Sequence, residues 1–147
     1  MLTALRADGH DVLDLGTQSP DPVDYPDSAC SVGVAVRDGL AEVGVLVCGS
    51  GAGVSIAANK IHGVRAALCH DLFTARQSRE DDDANVLCLG SRVVAVDMAI
   101  ALTRAFLAAR FSHAERHERR LAKVRSLEIH QPPASGSAVA SSRSERL

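Results

Sequence analysis

Aromatic residues are scarce in this 147-residue chain, with three Phe, one Tyr and no Trp. So few rings exclude the stacking platforms on which single-stranded nucleic acid is bound. A basic surplus is missing too. The formal net charge is −2, so the chain as a whole carries no electrostatic footprint for a nucleic-acid partner. No apolar run approaches a membrane span, and the opening Met1–Gly9 has no signal-peptide core. The cysteines Cys30, Cys48, Cys69 and Cys88 form no C-x-x-C pair. They read as reduced thiols in a cytoplasmic chain, not as a disulfide framework.

What is present is a globular composition. Apolar residues make up 46% of the chain, enough for one domain that folds without staples. Met1–Ala7 reads as the tail of a helix stopped by Gly9, and Asp11–Gly16 as a short strand. A Pro-rich loop runs from Thr17 to Pro26. Helical spacing covers Asp27–Leu40, with Asp27 or Ser28 able to cap it. Val43–Cys48 is a continuous apolar run, as expected of a buried parallel strand. Val54–Lys60 reads as helix, Val64–Cys69 as strand, Leu72–Arg79 as helix and Asn85–Leu89 as strand. Two helices follow, Val96–Arg110 and Ala114–Leu127. The latter carries a local basic cluster of Arg116, Arg119, Arg120, Lys123 and Arg125. The domain is expected over residues 1–128, and the Ser/Ala/Pro-rich stretch 129–147 as a disordered tail. Alternating strands and helices predict a three-layer α/β/α sandwich with a mostly parallel, Rossmann-like sheet.

The most informative stretch is Val43-Gly-Val-Leu-Val-Cys-Gly-Ser-Gly-Ala-Gly-Val-Ser-Ile-Ala-Ala-Asn-Lys60. A buried strand ends at Cys48, glycines follow at 49, 51 and 53, and a helix begins. Glycines let backbone N–H groups converge on one point. A helix start adds partial positive charge there. Such an anion hole at the carboxyl edge of a parallel sheet suits an enediolate, a carboxylate or a phosphate. The field at that point favours negative charge on the Cys48 sulfur, making it a candidate nucleophile or base. Spacing alone leaves Cys48 open between that role and a packed strand-end thiol. The loop has neither the G-x-G-x-x-G spacing of a dinucleotide site nor a Lys placed as in a P-loop. A nucleotide-binding module is further disfavoured because no acidic residue follows at ribose-binding spacing.

The segment Cys48–Lys60 closely resembles the C-G-T-G-x-G-x-S-I-A-A-N-K motif of ribose-5-phosphate isomerase type B and its galactose-6-phosphate isomerase relatives. Matches continue in order through Asp24-Tyr-Pro-Asp27, Gly63-Val-Arg-Ala-Ala-Leu-Cys-His-Asp71, Ser78-Arg79, Ala84-Asn-Val-Leu87, Gly90-Ser-Arg-Val93 and Arg116-His-x-x-Arg120. They run from about Gly9 to Leu127. The resemblance implies aldose–ketose isomerisation of a sugar phosphate, with ribose 5-phosphate and ribulose 5-phosphate as the leading pair. It needs no metal or other cofactor. Cys48 would be the base, and Ser50, in place of the frequent Thr, would lie by the enediolate oxygens. Gly49, Gly51, Ala52 and Gly53 would cradle that anion, with Tyr25 lining the site. Arg116, His117 and Arg120 would bind the phosphate from the partner subunit of a homodimer. His70 reads as a polar strand-end residue, and His10, His62, His113 and His130 as surface residues.

Two departures shape these expectations. The family opens with a strand ending in Asp-His-Ala-Gly. Here the chain opens inside what reads as the following helix, so that strand is expected to be missing and the Asp11–Gly16 strand to lose its neighbour. The family also reads Ser-Arg-x-His-Asn-Asp where this chain has Ser78-Arg-Glu-Asp-Asp-Asp83. Asp81 stands where the family's His opens the furanose ring, and Asp82 where its Asn binds substrate. A carboxylate titrates far below an imidazole. A substrate that needs no ring opening, such as a tetrose phosphate, would tolerate the change. So would a protein that binds sugar phosphate without turning it over.

Overall fold

The computed structural model describes residues 1–17 and 19–129. Its elements are α1 (Leu2–Ala7), α2 (Tyr25–Arg37), β1 (Gly44–Cys48), α3 (Ala52–Ala58), β2 (Ala66–Leu68), α4 (Leu72–Asp82), β3 (Val86–Gly90), α5 (Val96–Ala108) and α6 (Glu115–Ile129). Of the stretch read as a tail, Ile129 ends α6 and the remainder lies outside the described residues.

The three strands form one parallel sheet in the order β1-β3-β2. From β1 the chain steps outward past β3 to β2, then returns. Right-handed crossovers therefore put α3 and α4 on opposite faces. The period-two alternation of β3 divides the core accordingly. Val86 and Cys88 face Ala29 of α2 and Val54 and Ala58 of α3. Leu87 and Leu89 face Ala75 of α4 and Leu102 and Phe106 of α5. Both faces of β3 are covered, and all five of its residues are buried. This is the expected three-layer sandwich.

Local chemistry sets the element ends. α2 begins two residues before the predicted Asp27, at Tyr25, because Pro26 fits the first turn of a helix and Asp24 is extended at the N-cap. α4 runs three residues past the predicted Arg79. Asp71 opens it by accepting hydrogen bonds from the Thr74 N–H (2.8 Å) and hydroxyl (2.7 Å). Asp83 closes it in the left-handed region at φ 50°, where its carboxylate meets Arg65 at 2.7 Å. The acidic stretch is thus the last turn of a helix.

The strand expected over Asp11–Gly16 is not formed. Among the described residues β1 pairs only with β3. Between the open edge of β1 and residues 10–17 lies a trough of about 1360 Å³. The local contact at its far wall is a side-chain turn, Gly16 N–H donating to Asp14 Oδ1 at 2.9 Å. A strand exists only where a ladder can form; here the nearest edge is beyond hydrogen-bonding reach. Leu13 and Val47 stay about half exposed, at 56% and 49%.

Candidate active site

β1 delivers Cys48 to the carboxyl edge of the sheet, in register with Gly90 of β3. The chain must then turn at once into α3. Gly51 takes the turn at φ 80°, and there is no room beside it. A Cβ on Gly51 would lie 2.5 Å from Leu68 Cδ1 and 2.8 Å from the Leu89 carbonyl carbon. Only glycine fits both the conformation and the space. Gly90 makes the matching approach from the other side, since a Cβ there would sit 2.7 Å from the Ser50 carbonyl carbon and oxygen.

The Gly51 N–H donates to Cys48 Sγ at 3.1 Å, a contact that complements negative charge on sulfur. The Ala52 N–H donates to Ser50 Oγ at 3.3 Å. The first-turn N–H groups of α3 have no partner inside the helix and open onto this edge. Ser91 N–H donates to the Cys48 carbonyl at 2.8 Å and Arg92 N–H to the Gly49 carbonyl at 3.0 Å, so the turn after β3 clasps the loop. Tyr25, on the first turn of α2, stands over Gly53, with ring atoms 3.0 Å from where a Cβ would be. One end of the sheet therefore brings together Tyr25, Cys48, Gly49, Ser50, Gly51, Ala52 and Gly53.

Sequence reasoning did not single out Arg92. Its guanidinium group lies over Gly49, with Nε 3.6 Å from that residue's Cβ direction. The signal was present in Gly90-Ser-Arg-Val93, but an isolated Arg after a strand has nothing to mark it until the fold places it over the loop.

The other thiols differ from Cys48. Burial pushes the Cys88 thiol up to about 12 and raises that of Cys69 as well. Both belong to the core.

Asp81, Asp82, Arg116, His117 and Arg120 form a second group on α4 and α6. His117 is buried. It meets Ser112 Oγ at 2.6 Å through Nδ1, which also lies 3.5 Å from Asp81 Oδ1. Its Nε2 accepts from Arg116 Nε at 2.8 Å. Asp81 also accepts from Gln77 Nε2 at 3.1 Å. The expectation that His117 contacts substrate meets a ring whose two nitrogens are already engaged; in this structure it braces Arg116 and Asp81. Arg116 and Arg120 are exposed. Arg120 and Asp82 line a cavity of about 610 Å³ with Arg65, Asn59 and Glu128.

The two groups lie at opposite ends of the sheet. α4 leaves the carboxyl edge after β2 and ends beside Arg65, just before β2 begins. Five strand steps separate Cys48 from that level, roughly 17 Å. One chain does not bring its Arg116–Arg120 face to its own Cys48.

The family model described as ribose/galactose isomerase matches residues 1–124. The chain belongs to that family. The ribose-5-phosphate isomerase B of Escherichia coli (strain K12) is 42% identical over 120 residues, 82% of this chain and 80% of that protein. The D-erythrulose-4-phosphate isomerase of Pectobacterium atrosepticum is 42% identical over 87 residues, 59% of this chain and 57% of that protein. Among solved structures, the ribose-5-phosphate isomerase B of Mycoplasma genitalium with bound ribulose-5-phosphate superposes with a TM-score of 0.82 at 41% identity, covering 87% of this chain and 85% of that one. As a ribose/galactose isomerase, the chain places its Gly-rich turn at the carboxyl edge of a parallel sheet, where α/β proteins gather ligands. No described helix is long and apolar enough to cross a membrane, and among the described residues no His, Cys, Asp and Glu cluster could hold a metal ion.

Proposed function

We propose that this isomerase interconverts ribose 5-phosphate and ribulose 5-phosphate with Cys48 as the base. The observation that carries the assignment is the Cys48 sulfur at the strand end, accepting the Gly51 N–H where the loop turns into α3. The Cys48 thiolate removes the proton from C2 of the open-chain aldose. The C–H electron pair forms the C1=C2 bond, and the carbonyl pair moves onto O1. The loop and Ser50 hold the resulting cis-enediolate, whose charge is where preorganised donors act most strongly. A proton passes from O2 to O1, C2=O forms, and the Cys48 thiol returns its proton to C1. No electron leaves the substrate. The exposed Arg92 adds a cation at the mouth of the loop.

The phosphate falls to Arg116 and Arg120, whose forked guanidinium groups suit phosphate oxygens. They sit at the far end of the sheet from Cys48 in the same chain. That separation supports a homodimer in which each Cys48 loop is completed by the Arg116–Arg120 face of the other copy. Asp82 would contact the sugar, and Asp81 would take the ring-opening position, oriented by Gln77 and His117. A second reading rests on Asp81 itself. A carboxylate in the ring-opening position suits a substrate with no furanose form, and a relative of this chain is a D-erythrulose-4-phosphate isomerase.

Turnover of ribose 5-phosphate and of erythrulose 4-phosphate is the direct test, with Cys48→Ala and Arg120→Ala beside the wild type. Pentose turnover lost in Cys48→Ala is expected. Turnover of the tetrose alone would transfer the assignment to the second reading. Full activity in Cys48→Ala would refute the base. Co-refolding the two inactive variants should restore activity, because one site of each mixed dimer has neither change. No restoration would refute the shared site.

A further inference from the structure

His70 has no role in the mechanism above, yet its side chain enters the backbone of the site. It follows β2 by two residues. The ladder between β2 and β3 continues as far as Cys69, whose N–H donates to the Cys88 carbonyl at 3.2 Å. In a regular parallel ladder the next donor, the Gly90 N–H, would go to the following backbone carbonyl of the neighbouring strand. Instead it donates to His70 Nε2 at 2.9 Å.

Three consequences follow. An imidazole nitrogen that accepts a hydrogen bond carries a lone pair, so the proton of His70 is on Nδ1 and the ring is neutral while this bond lasts. Gly90 is buried, so its N–H has no solvent to turn to if the ring is removed. And Gly90 is the residue against which Ser50 packs without clearance. The residues immediately after it, Ser91 and Arg92, hold the Cys48 and Gly49 carbonyls. Any displacement of Gly90 is passed directly to the Cys48–Gly51 segment.

We propose that His70 is a positioning residue for the isomerisation, its Nε2 lone pair fixing Gly90 and, through it, the backbone that presents Cys48 and the anion-binding loop. The inference rests on the reading of Cys48 as the base. Phosphate binding lies with Arg116 and Arg120 in that reading, so loss of His70 acts on the chemical step and leaves substrate affinity nearly intact.

The test compares His70→Ala and His70→Gln. A Gln carbonyl oxygen supplies an acceptor at about the reach of Nε2; Ala supplies none. For His70→Ala, kcat should fall about tenfold to a hundredfold, the range a displaced catalytic constellation shows, with KM little changed. His70→Gln should recover most of the loss. Imidazole 15N resonances of the wild-type protein should show Nε2 unprotonated and Nδ1 protonated, a readout that holds even if His70→Ala fails to fold. Wild-type kcat in His70→Ala, an equal loss in His70→Gln, or a protonated Nε2 in the folded protein would each overturn the proposal. Full activity in Cys48→Ala would instead remove the reading beneath it. A normal Cys48 loss with an unimpaired His70→Ala would remove the positioning role alone.

Discussion

Replacing Gly51 with Ala tests the physical account of the loop most directly. The residue sits at φ 80°, and its Cβ would meet Leu68 Cδ1 at 2.5 Å, the Leu89 carbonyl carbon at 2.8 Å and the Leu89 oxygen at 3.0 Å. The left-handed conformation costs a non-glycine residue roughly 1–2 kcal/mol. Forcing a methyl group into packed surroundings adds about 1–3 kcal/mol. The Leu68 side chain can move, but the Leu89 backbone lies in the middle of the sheet and cannot. The sum, roughly 2–5 kcal/mol, is a large share of the ~5–15 kcal/mol that holds a domain folded. Gly49→Ala is the internal control. It has no positive φ, and its nearest neighbour is Arg92 Nε at 3.6 Å, an ordinary contact; its effect on stability should stay within about 0.5 kcal/mol. Gly53→Ala should also be mild. Helix propensity favours Ala by about 1 kcal/mol, offset by a Tyr25 ring that must yield a few tenths of an ångström. Urea denaturation at one protomer concentration measures all three, and turnover follows whether the surviving loop still works. A Gly51→Ala variant within 0.5 kcal/mol of wild type, or a Gly49→Ala variant less stable than it, would refute the argument that close backbone approach dictates the glycine.

Thiol reactivity and acid stability give two further checks. Iodoacetamide at mild alkaline pH should label the exposed Cys30 and the half-buried Cys48. It should spare Cys69 and Cys88, which burial holds protonated, so mass spectrometry of native protein should show two adducts; four adducts, or Cys88 labelled ahead of Cys48, would contradict the core placement. Asp71 is held below the ordinary carboxylate range, first by the Thr74 hydroxyl and then by the Thr74 N–H. A depressed folded value means that its contribution is complete above the unfolded value of about 3.9 and is lost as pH falls through the lower folded one. The difference in melting temperature between wild type and Asp71→Ala should therefore be constant near neutrality and shrink below about pH 4; a difference that grows on acidification would refute the cap.

The residues of the turn were legible in the sequence because their chemistry is local. Cys48 at the end of a Val/Leu run, glycines at alternate positions and an immediate helix start specify a strand, a tight turn and a helix within a dozen residues. The run Asn85–Leu89 likewise read as a strand; that it is covered on both faces is seen only in the structure. Where the reading failed, the cause was non-local. Asp11–Gly16 has the apolar content of a strand, but a strand needs a ladder partner, and the edge of β1 lies across a trough. The acidic run at 80–83 gives no sign by itself that it ends a helix, because Asp71 caps that helix ten residues earlier and Arg65 receives Asp83 from another segment.

From the sequence alone came the α/β/α class, set by alternating strand and helix patterns, and, through the resemblance of short motifs to a known family, the catalytic candidate at Cys48 and the basic pair at Arg116 and Arg120. Only the tertiary structure decided that Cys48 and the basic pair lie at opposite ends of the sheet, because α4 returns from the carboxyl edge to the amino edge between the parallel strands β2 and β3 and carries α6 against that end. Only it placed Arg92 over Gly49, enclosed His117 between Asp81 and Arg116, and sent the Gly90 N–H to His70. Each of these depends on residues that share no sequence neighbourhood and meet only when three parallel strands are brought into register.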